Sequence, residues 1–116
     1  MTLPDSPDTD HLMNTERIRM LPERAILLNA GGGGSLCRPA LASALREGRL
    51  WGAALDVLDQ EPLPAGHPLW DCPNLILTPH VAAGLHLPQT RENIVSIALE
   101  NLRHYMAGEP MMNRVL

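Results

Sequence analysis

The sequence predicts an α/β fold in which about three to four parallel strands form a small sheet with flanking helices. Short apolar runs alternate with helical segments, turn residues separate them, and the last segment has the pattern of a long helix. Strands that alternate with helices are joined by right-handed crossovers and therefore pair in parallel. The first strand would have an open edge unless another segment pairs with it, so the sheet looks incomplete.

The first helix is predicted from Thr15 to about Leu21, with Asn14 as its N-cap and Pro22 as its stop signal. The first strand is predicted over residues 25–29. This short apolar run, bounded by turn residues, suits a strand that is buried on both faces.

The remaining elements are predicted in the order helix, strand, loop, strand and helix, over residues 39–47, 51–57, 59–73, 75–78 and 87–106. Pro39 suits the first turn of its helix, and Gly48 can cap the end of that helix. The last helix is the longest, and Gly108 with Pro110 closes it.

Composition excludes several classes of protein. The 116 residues fit one domain or a piece of a larger one. A net charge of −4 without a Lys/Arg cluster argues against nucleic-acid or anionic-membrane partners. No apolar stretch is long enough to span a membrane, and the N-terminus does not have the pattern of a signal peptide. Cys37 and Cys72 have no CxxC spacing, and no metal-ligand motif is present, so a reduced cytoplasmic protein is expected.

Four consecutive glycines, 31–34, follow the first strand and precede a helix, which is the arrangement of a dinucleotide phosphate loop. Asp56 lies at about the distance expected for a ribose-binding acid. The third glycine of the fingerprint is absent, however, because position 36 is Leu36. A flexible connection between strand and helix is the alternative.

Five ordered stretches carry a more specific signal. They are similar to the motifs LPxTPxT, INxxRG, ALDVFxxEPL, LTPHxAxx and GEPxxNxV, and lie at residues 3–9, 28–33, 54–63, 77–83 and 108–115. Together they resemble the D-isomer-specific 2-hydroxyacid dehydrogenase family. The resemblance implies a partial Rossmann-type fold, with residues 1–108 as the C-terminal half of a dinucleotide-binding domain and 109–116 as a C-terminal tail.

Family members are considerably longer, so the resemblance also implies that the substrate domain and the true glycine fingerprint lie outside this sequence. The implied cofactor is NAD or NADP, and the implied substrate is a small 2-hydroxy or 2-keto acid. A homodimer is an open alternative to a monomer.

The resemblance assigns catalysis to two residues. His80 matches the family's acid/base, and an imidazole suits proton transfer because its ordinary pKa lies near ~6.5. Glu61 matches the second catalytic residue, whose carboxylate would favour the protonated ring and orient it. From spacing alone, His80 would be an exposed residue in a turn and Glu61 an ordinary loop acid.

The resemblance also implies a set of cofactor-binding residues. Asp56 matches the residue that accepts a hydrogen bond from the nicotinamide carboxamide, although capping the loop after the strand is an equally simple role. The other implied cofactor-binding positions are Leu3, Pro4, Ala30, Gly31, Gly32, His80, Val81, Ala82 and Ala83.

One departure from the motifs has a chemical consequence. The INxxRG motif carries an Arg that clamps the substrate carboxylate, and this chain has Gly32 there. Losing such a contact costs about 2–5 kcal/mol. Arg38, at the start of the next helix, is not expected to replace it. The sequence therefore predicts an oxidoreductase fragment that is inactive alone, with a non-enzymatic nucleotide-binding or interaction module as the alternative.

Overall fold

The computed structural model describes residues 1–82, 84–85 and 87–114, which fall into two compact units, Met1–Ala82 and Ala83–Leu116. The first unit contains a three-stranded parallel sheet with flanking helices, and the second contains the long C-terminal helix. The predicted α/β class, parallel pairing and long final helix are confirmed.

The sheet is formed by β1 (Ile26–Asn29), β2 (Gly52–Leu55) and β3 (Leu75–Leu77), in the order β1-β2-β3. Each strand is shorter than the sequence predicted. Because all three run in the same direction, their carboxyl ends lie at one edge, where open α/β sheets bind ligands.

The helices are α1 (Thr15–Met20), α2 (Arg38–Arg46) and α3 (Pro88–Ala107). The Asn14 side chain caps α1 by accepting a hydrogen bond from the backbone N–H of Arg17 at 2.9 Å, as predicted. Two short 3₁₀ turns, Gly33–Ser35 and Pro68–Asp71, complete the set of helical elements in the described residues, and the second lies within the predicted surface loop.

The core of the first unit lies on one side of the sheet, where α1 and α2 pack. Its fully buried apolar side chains are Ile18, Leu41, Leu50, Leu55 and Leu69. Successive right-handed crossovers along a sheet that grows in one direction place their helices on the same face.

The prediction that β1 is buried on both faces is wrong. Leu27 and Asn29 are buried, whereas Ile26 and Leu28 are 52% and 59% exposed. An apolar run alone does not reveal whether one face or both are covered, because that depends on where the helices pack.

The first residues of the chain lie along the end of β1. The Met1 amino group donates to the Leu28 carbonyl, the Ala30 N–H donates to the Met1 carbonyl at 3.0 Å, and the Gly32 N–H donates to the Leu3 carbonyl at 2.6 Å. These bonds have the stagger of parallel pairing, so part of the predicted open edge is occupied.

The second unit consists mainly of α3, which ends at Gly108 with φ 70° in the left-handed conformation. None of the residues of α3 is buried in the structure. Among the described residues, no helix has both the length and the apolar character that crossing a bilayer requires.

Candidate functional site

Two polar segments meet where β2 and β3 end. Asp56 directly follows β2, and the segment Thr78–His80 directly follows β3. The Thr78 N–H donates to the Leu55 carbonyl at 3.0 Å, and the His80 N–H donates to the Asp56 carbonyl at 2.9 Å. Backbone pairing thus continues beyond the strands and brings the imidazole to the carboxyl edge of the sheet.

His80 and Glu61 form a hydrogen-bonded ion pair. The distance from His80 Nδ1 to Glu61 Oε2 is 2.9 Å. The other carboxylate oxygen, Oε1, accepts the backbone N–H of Leu58 at 2.7 Å, so the loop after β2 orients the carboxylate. Their side chains are 61% and 35% exposed, respectively, which leaves the ring accessible to a ligand.

The ion pair shifts the pKa of both His80 and Glu61. The hydrogen bond with Glu61, together with the negative charge of its carboxylate, raises the pKa of His80 above 6.5. The same hydrogen bond, with the Leu58 N–H, lowers the pKa of Glu61. Because Nδ1 is engaged with the carboxylate, Nε2 is the ring nitrogen left to exchange a proton with a substrate.

Asp56 is buried at the base of this arrangement. Its Oδ1 accepts the Thr78 hydroxyl and the Val81 N–H, the latter at 2.9 Å, and its Oδ2 accepts the Ala82 N–H at 2.8 Å. The bond from Thr78 and then that from Val81 lower the pKa of Asp56, outweighing the effect of burial. Asp56 therefore caps the turn after β3 rather than the loop after its own strand, which was the simpler of its two predicted roles.

A cavity of about 440 Å³ lies beside the ion pair. His80, Glu61 and Thr78 supply its polar lining. Its apolar lining comes from Leu58, Pro62, Leu63, Trp70, Leu77 and Pro79. Such a mostly apolar concavity with a few convergent polar groups is typical of small-molecule sites.

The glycine segment makes several hydrogen bonds with side chains around it. The Gly32 carbonyl accepts the Asn29 amide at 2.9 Å and the Ser35 hydroxyl at 2.6 Å, and the Gly31 N–H donates to the Asn29 side chain at 3.2 Å. Gly32 and Gly33 are buried. The connection between β1 and α2 is thus held by side-chain hydrogen bonds.

The space beside three of the glycines is filled by the chain itself. A Cβ at Gly32 would overlap Asp5 Oδ1 and lie 2.7 Å from the Asp5 backbone N. Equivalent atoms at Gly31 and Gly33 would overlap the backbone of Leu3 and Leu58. Only glycine fits this packing without a shift of the neighbouring segment.

At Gly32, where the INxxRG motif has its arginine, the Asp5 carboxylate fills the space that a side chain would occupy. Asp5 Oδ1 accepts the Gly34 N–H at 3.0 Å. Arg38 is bound to Asp59 in a bidentate pair, Nε to Oδ1 at 2.6 Å and Nη2 to Oδ2 at 2.7 Å, consistent with the expectation that it does not replace the clamp.

The predicted site residues form two groups. One comprises His80, Glu61, Asp56, Val81 and Ala82, and the other comprises Leu3, Pro4, Ala30, Gly31 and Gly32. The close approach of Gly33 to Leu58 brings the glycine segment against the loop that holds Glu61. Ala83 lies outside the described residues.

Two residues of the site escaped the sequence analysis. Thr78 has a local signal, because it is a hydroxyl residue at a strand end two positions before His80. Asp5 has none, since its contact with the glycine segment joins positions 29 residues apart. In the described part of the chain, no three His, Cys, Asp or Glu side chains are grouped to hold a metal ion.

Comparisons with known proteins show which family and which structures the chain resembles. The family model described as "D-isomer specific 2-hydroxyacid dehydrogenase, NAD binding domain" matches residues 1–82. Glyoxylate/hydroxypyruvate reductase B of Pectobacterium carotovorum is 38% identical over 115 residues, which cover 99% of this chain and 35% of the relative. Glyoxylate reductase of Thermofilum pendens is 40% identical over 107 residues, which cover 92% and 31%. The chain thus spans about a third of the length of these relatives.

Solved structures give the same result. A D-isomer specific 2-hydroxyacid dehydrogenase from Xanthobacter autotrophicus in complex with NADPH superposes with a TM-score of 0.85 at 42% identity, covering 99% of this chain and 46% of that chain. An NADPH-dependent glyoxylate/hydroxypyruvate reductase from Sinorhizobium meliloti in complex with NADP gives 0.83 at 32% identity, covering 98% and 36%. The Rossmann-type fold and the cofactor class, NAD or NADP, predicted from the motifs are confirmed for the matched domain.

Proposed function

We propose that this chain, which belongs to the D-isomer specific 2-hydroxyacid dehydrogenase family, is part of an NAD- or NADP-dependent oxidoreductase. The reaction interconverts D-2-hydroxy acids and 2-keto acids by oxidising the CH–OH group or reducing the carbonyl. Residues 1–108 form the C-terminal half of its dinucleotide-binding domain and 109–116 a tail. The 116-residue chain is inactive alone, and its cytoplasmic location and dimerisation remain predictions.

The observation that carries the proposal is the 2.9 Å contact between His80 Nδ1 and Glu61 Oε2. Reduction of a keto acid requires a proton at the carbonyl oxygen. Glu61 raises the pKa of His80 and so keeps the ring protonated at higher pH. In this proposal, Nε2 gives the proton to the carbonyl oxygen, and Glu61 stabilises the imidazolium before the transfer.

The residues around Asp56 fit a nicotinamide cofactor. A bound nicotinamide supplies or accepts the hydride at the substrate carbon. The Asp56 carboxylate has about four acceptor positions, of which three are used internally, so one remains for a carboxamide N–H. The proposed cofactor walls are the backbones of Leu3, Pro4, Ala30, Gly31, Gly32, Val81 and Ala82, with Ala83 added from the motif.

A chimeric enzyme tests the proposal. Residues 1–115 replace the matching segment of the Pectobacterium reductase, and NADPH oxidation is followed with glyoxylate. We expect His80→Asn to lower kcat/KM by about 10²–10⁴-fold, the range for losing a general acid. His11→Asn, which removes another exposed histidine of the same unit, is the matched control. Equal rates for the chimera and its His80→Asn variant would contradict the assignment.

A second candidate function is a nucleotide-binding or interaction module without enzymatic activity. The Asp5 carboxylate beside Gly32 favours it, because this side of the site presents a negative charge to an anionic substrate. Isothermal titration of the isolated chain with NADH and NADPH separates the two functions. Binding that is weakened in Asp56→Asn would support the module, whereas no binding is expected of a half-domain.

A further inference from the structure

We propose that Thr78 and Asp56 are positioning residues for His80: they fix the turn that carries the imidazole and thereby hold it against Glu61. That the positioned imidazole serves proton transfer rests on the proposed function. The positioning itself can be tested without cofactor or substrate.

The first observation is that residues on both sides of His80 bind the same carboxylate. Thr78, two residues before it, donates its hydroxyl to Asp56, and Val81 and Ala82, directly after it, donate their backbone N–H groups to the same carboxylate. The His80 N–H itself donates to the Asp56 carbonyl at 2.9 Å. One buried residue therefore ties the turn on both sides of the imidazole.

The second observation is the backbone conformation of His80. Its φ of 54° lies in the left-handed region, which residues with a Cβ rarely adopt. Such a conformation persists only where the surrounding structure holds it. The pair with Glu61 is largely exposed, and exposed ion pairs contribute little to fixing a geometry. The buried carboxylate of Asp56, with its charge-assisted hydrogen bonds, is the stronger restraint.

The third observation separates geometry from charge. The charged groups that act on the His80 ring are the carboxylates of Glu61 and Asp56, and both raise its pKa. Replacing Asp56 would change the field and the turn together. Thr78 carries no charge, so removing its hydroxyl weakens the restraint and leaves both carboxylates in place. Thr78→Val is nearly isosteric, and Thr78→Ser keeps the hydroxyl.

The experiment is an NMR titration of the histidine side chains in the full chain. We expect Thr78→Val to move the titration midpoint of His80 down towards 6.5, because the ring loses part of its contact with Glu61. Thr78→Ser should keep the wild-type midpoint. An unchanged midpoint in Thr78→Val, or an equal shift in Thr78→Ser, would overturn the proposal.

A measurement on the unmodified chain covers the case in which Thr78→Val does not fold. Val81 and Ala82 lie in an exposed segment, yet their N–H groups bind Asp56. We expect their amides to exchange with solvent at least about tenfold more slowly than that of exposed Gln60, since opening must precede exchange. Exchange at the Gln60 rate would overturn the proposal. Neither experiment depends on catalysis, so a failure here is distinct from a failure of the proposed function.

Discussion

The two sides of the candidate site are built in different ways. On the His80 side, polar side chains determine the geometry: Glu61 binds the ring, and Asp56 binds the turn. On the glycine side, close packing adds to the polar contacts, because the side chain and backbone N of Asp5 fill the space where a Cβ at Gly32 would lie. The first arrangement can hold and release a proton, whereas the second places a carboxylate beside Gly32, where the family motif has an arginine.

Under the proposed function, acid/base geometry and carboxylate recognition would therefore depend mainly on different residues. The His80 side depends on residues 56–82, which lie close together in the chain. The glycine side depends on contact between residues 1–5 and 31–34. Under the proposed function, a change at Asp5 or Gly32 would act first on substrate recognition, and the close approach of Gly33 to Leu58 links the glycine segment to the loop that orients Glu61.

The largest expected effect comes from placing a cation on the glycine side. In the chimera with the Pectobacterium reductase, Gly32→Arg combined with Asp5→Ala should raise kcat/KM for glyoxylate roughly 30- to 5,000-fold. This corresponds to lowering the activation free energy by about 2–5 kcal/mol. The guanidinium can bind the substrate carboxylate through two parallel hydrogen bonds once the Asp5 carboxylate is gone and the backbone at position 5 has shifted from the new Cβ. Steady-state kinetics with NADPH measure the change.

The single variants refine that test. Gly32→Arg alone should gain less, because the new guanidinium would pair with Asp5. Asp5→Ala alone supplies no cation and should gain little. Gly34→Arg adds the same charge two residues away, where a Cβ would lie 3.4 Å from Asp5 Oδ1 and makes only ordinary contact. An equal gain in kcat/KM from Gly34→Arg would mean that the gain does not depend on which of the two positions carries the arginine.

Much of the fold was predictable from local sequence. The Asn14 cap of α1, the alternation of strands and helices, and the Gly108 end of α3 each depend on residues within a few positions of one another. The one-sided burial of β1 was not predictable, since it depends on which face the helices cover.

The site divides in the same way. The motifs identified His80 and Glu61 as a pair, and the structure places them in contact. Pattern could not reveal that Asp5 fills the space beside Gly32, because no periodicity or turn signal links positions so far apart in the chain. The absence of the motif's Arg could be predicted from the sequence, but the presence of the Asp5 carboxylate at that place could not.

The second expected effect is on stability. Gly32→Ala should lower the free energy of unfolding by about 1–3 kcal/mol, because the added methyl group forces the segment at Asp5 to shift. Gly34→Ala is the matched control, since its Cβ would have room and its φ lies outside the left-handed region. Urea unfolding of the isolated chain compares the two. Equal losses in both variants would show that the close packing at Gly32 does not determine the loss of unfolding free energy.

The smallest expected effect is the pH dependence that the ion pair gives to stability. The folded pKa of His80 lies above 6.5, so its contribution is complete below that value and is lost as pH rises through the folded pKa. The folded pKa of Glu61 lies below 4.5, so its contribution is complete above that value and is lost as pH falls through the folded pKa. The pair therefore contributes most between pH 4.5 and 6.5.

Glu61→Gln should remove that maximum, because the amide cannot stabilise the imidazolium by charge. The effect is small, since both side chains are partly exposed to solvent and salt. Urea unfolding of the chain and of Glu61→Gln across this pH range measures the difference, and His80→Asn should flatten the profile in the same way. If the two variants changed the profile at different pH values, the residues would titrate independently. The His80 side would then be a set of separate contacts, and its contrast with the glycine side would be one of packing alone.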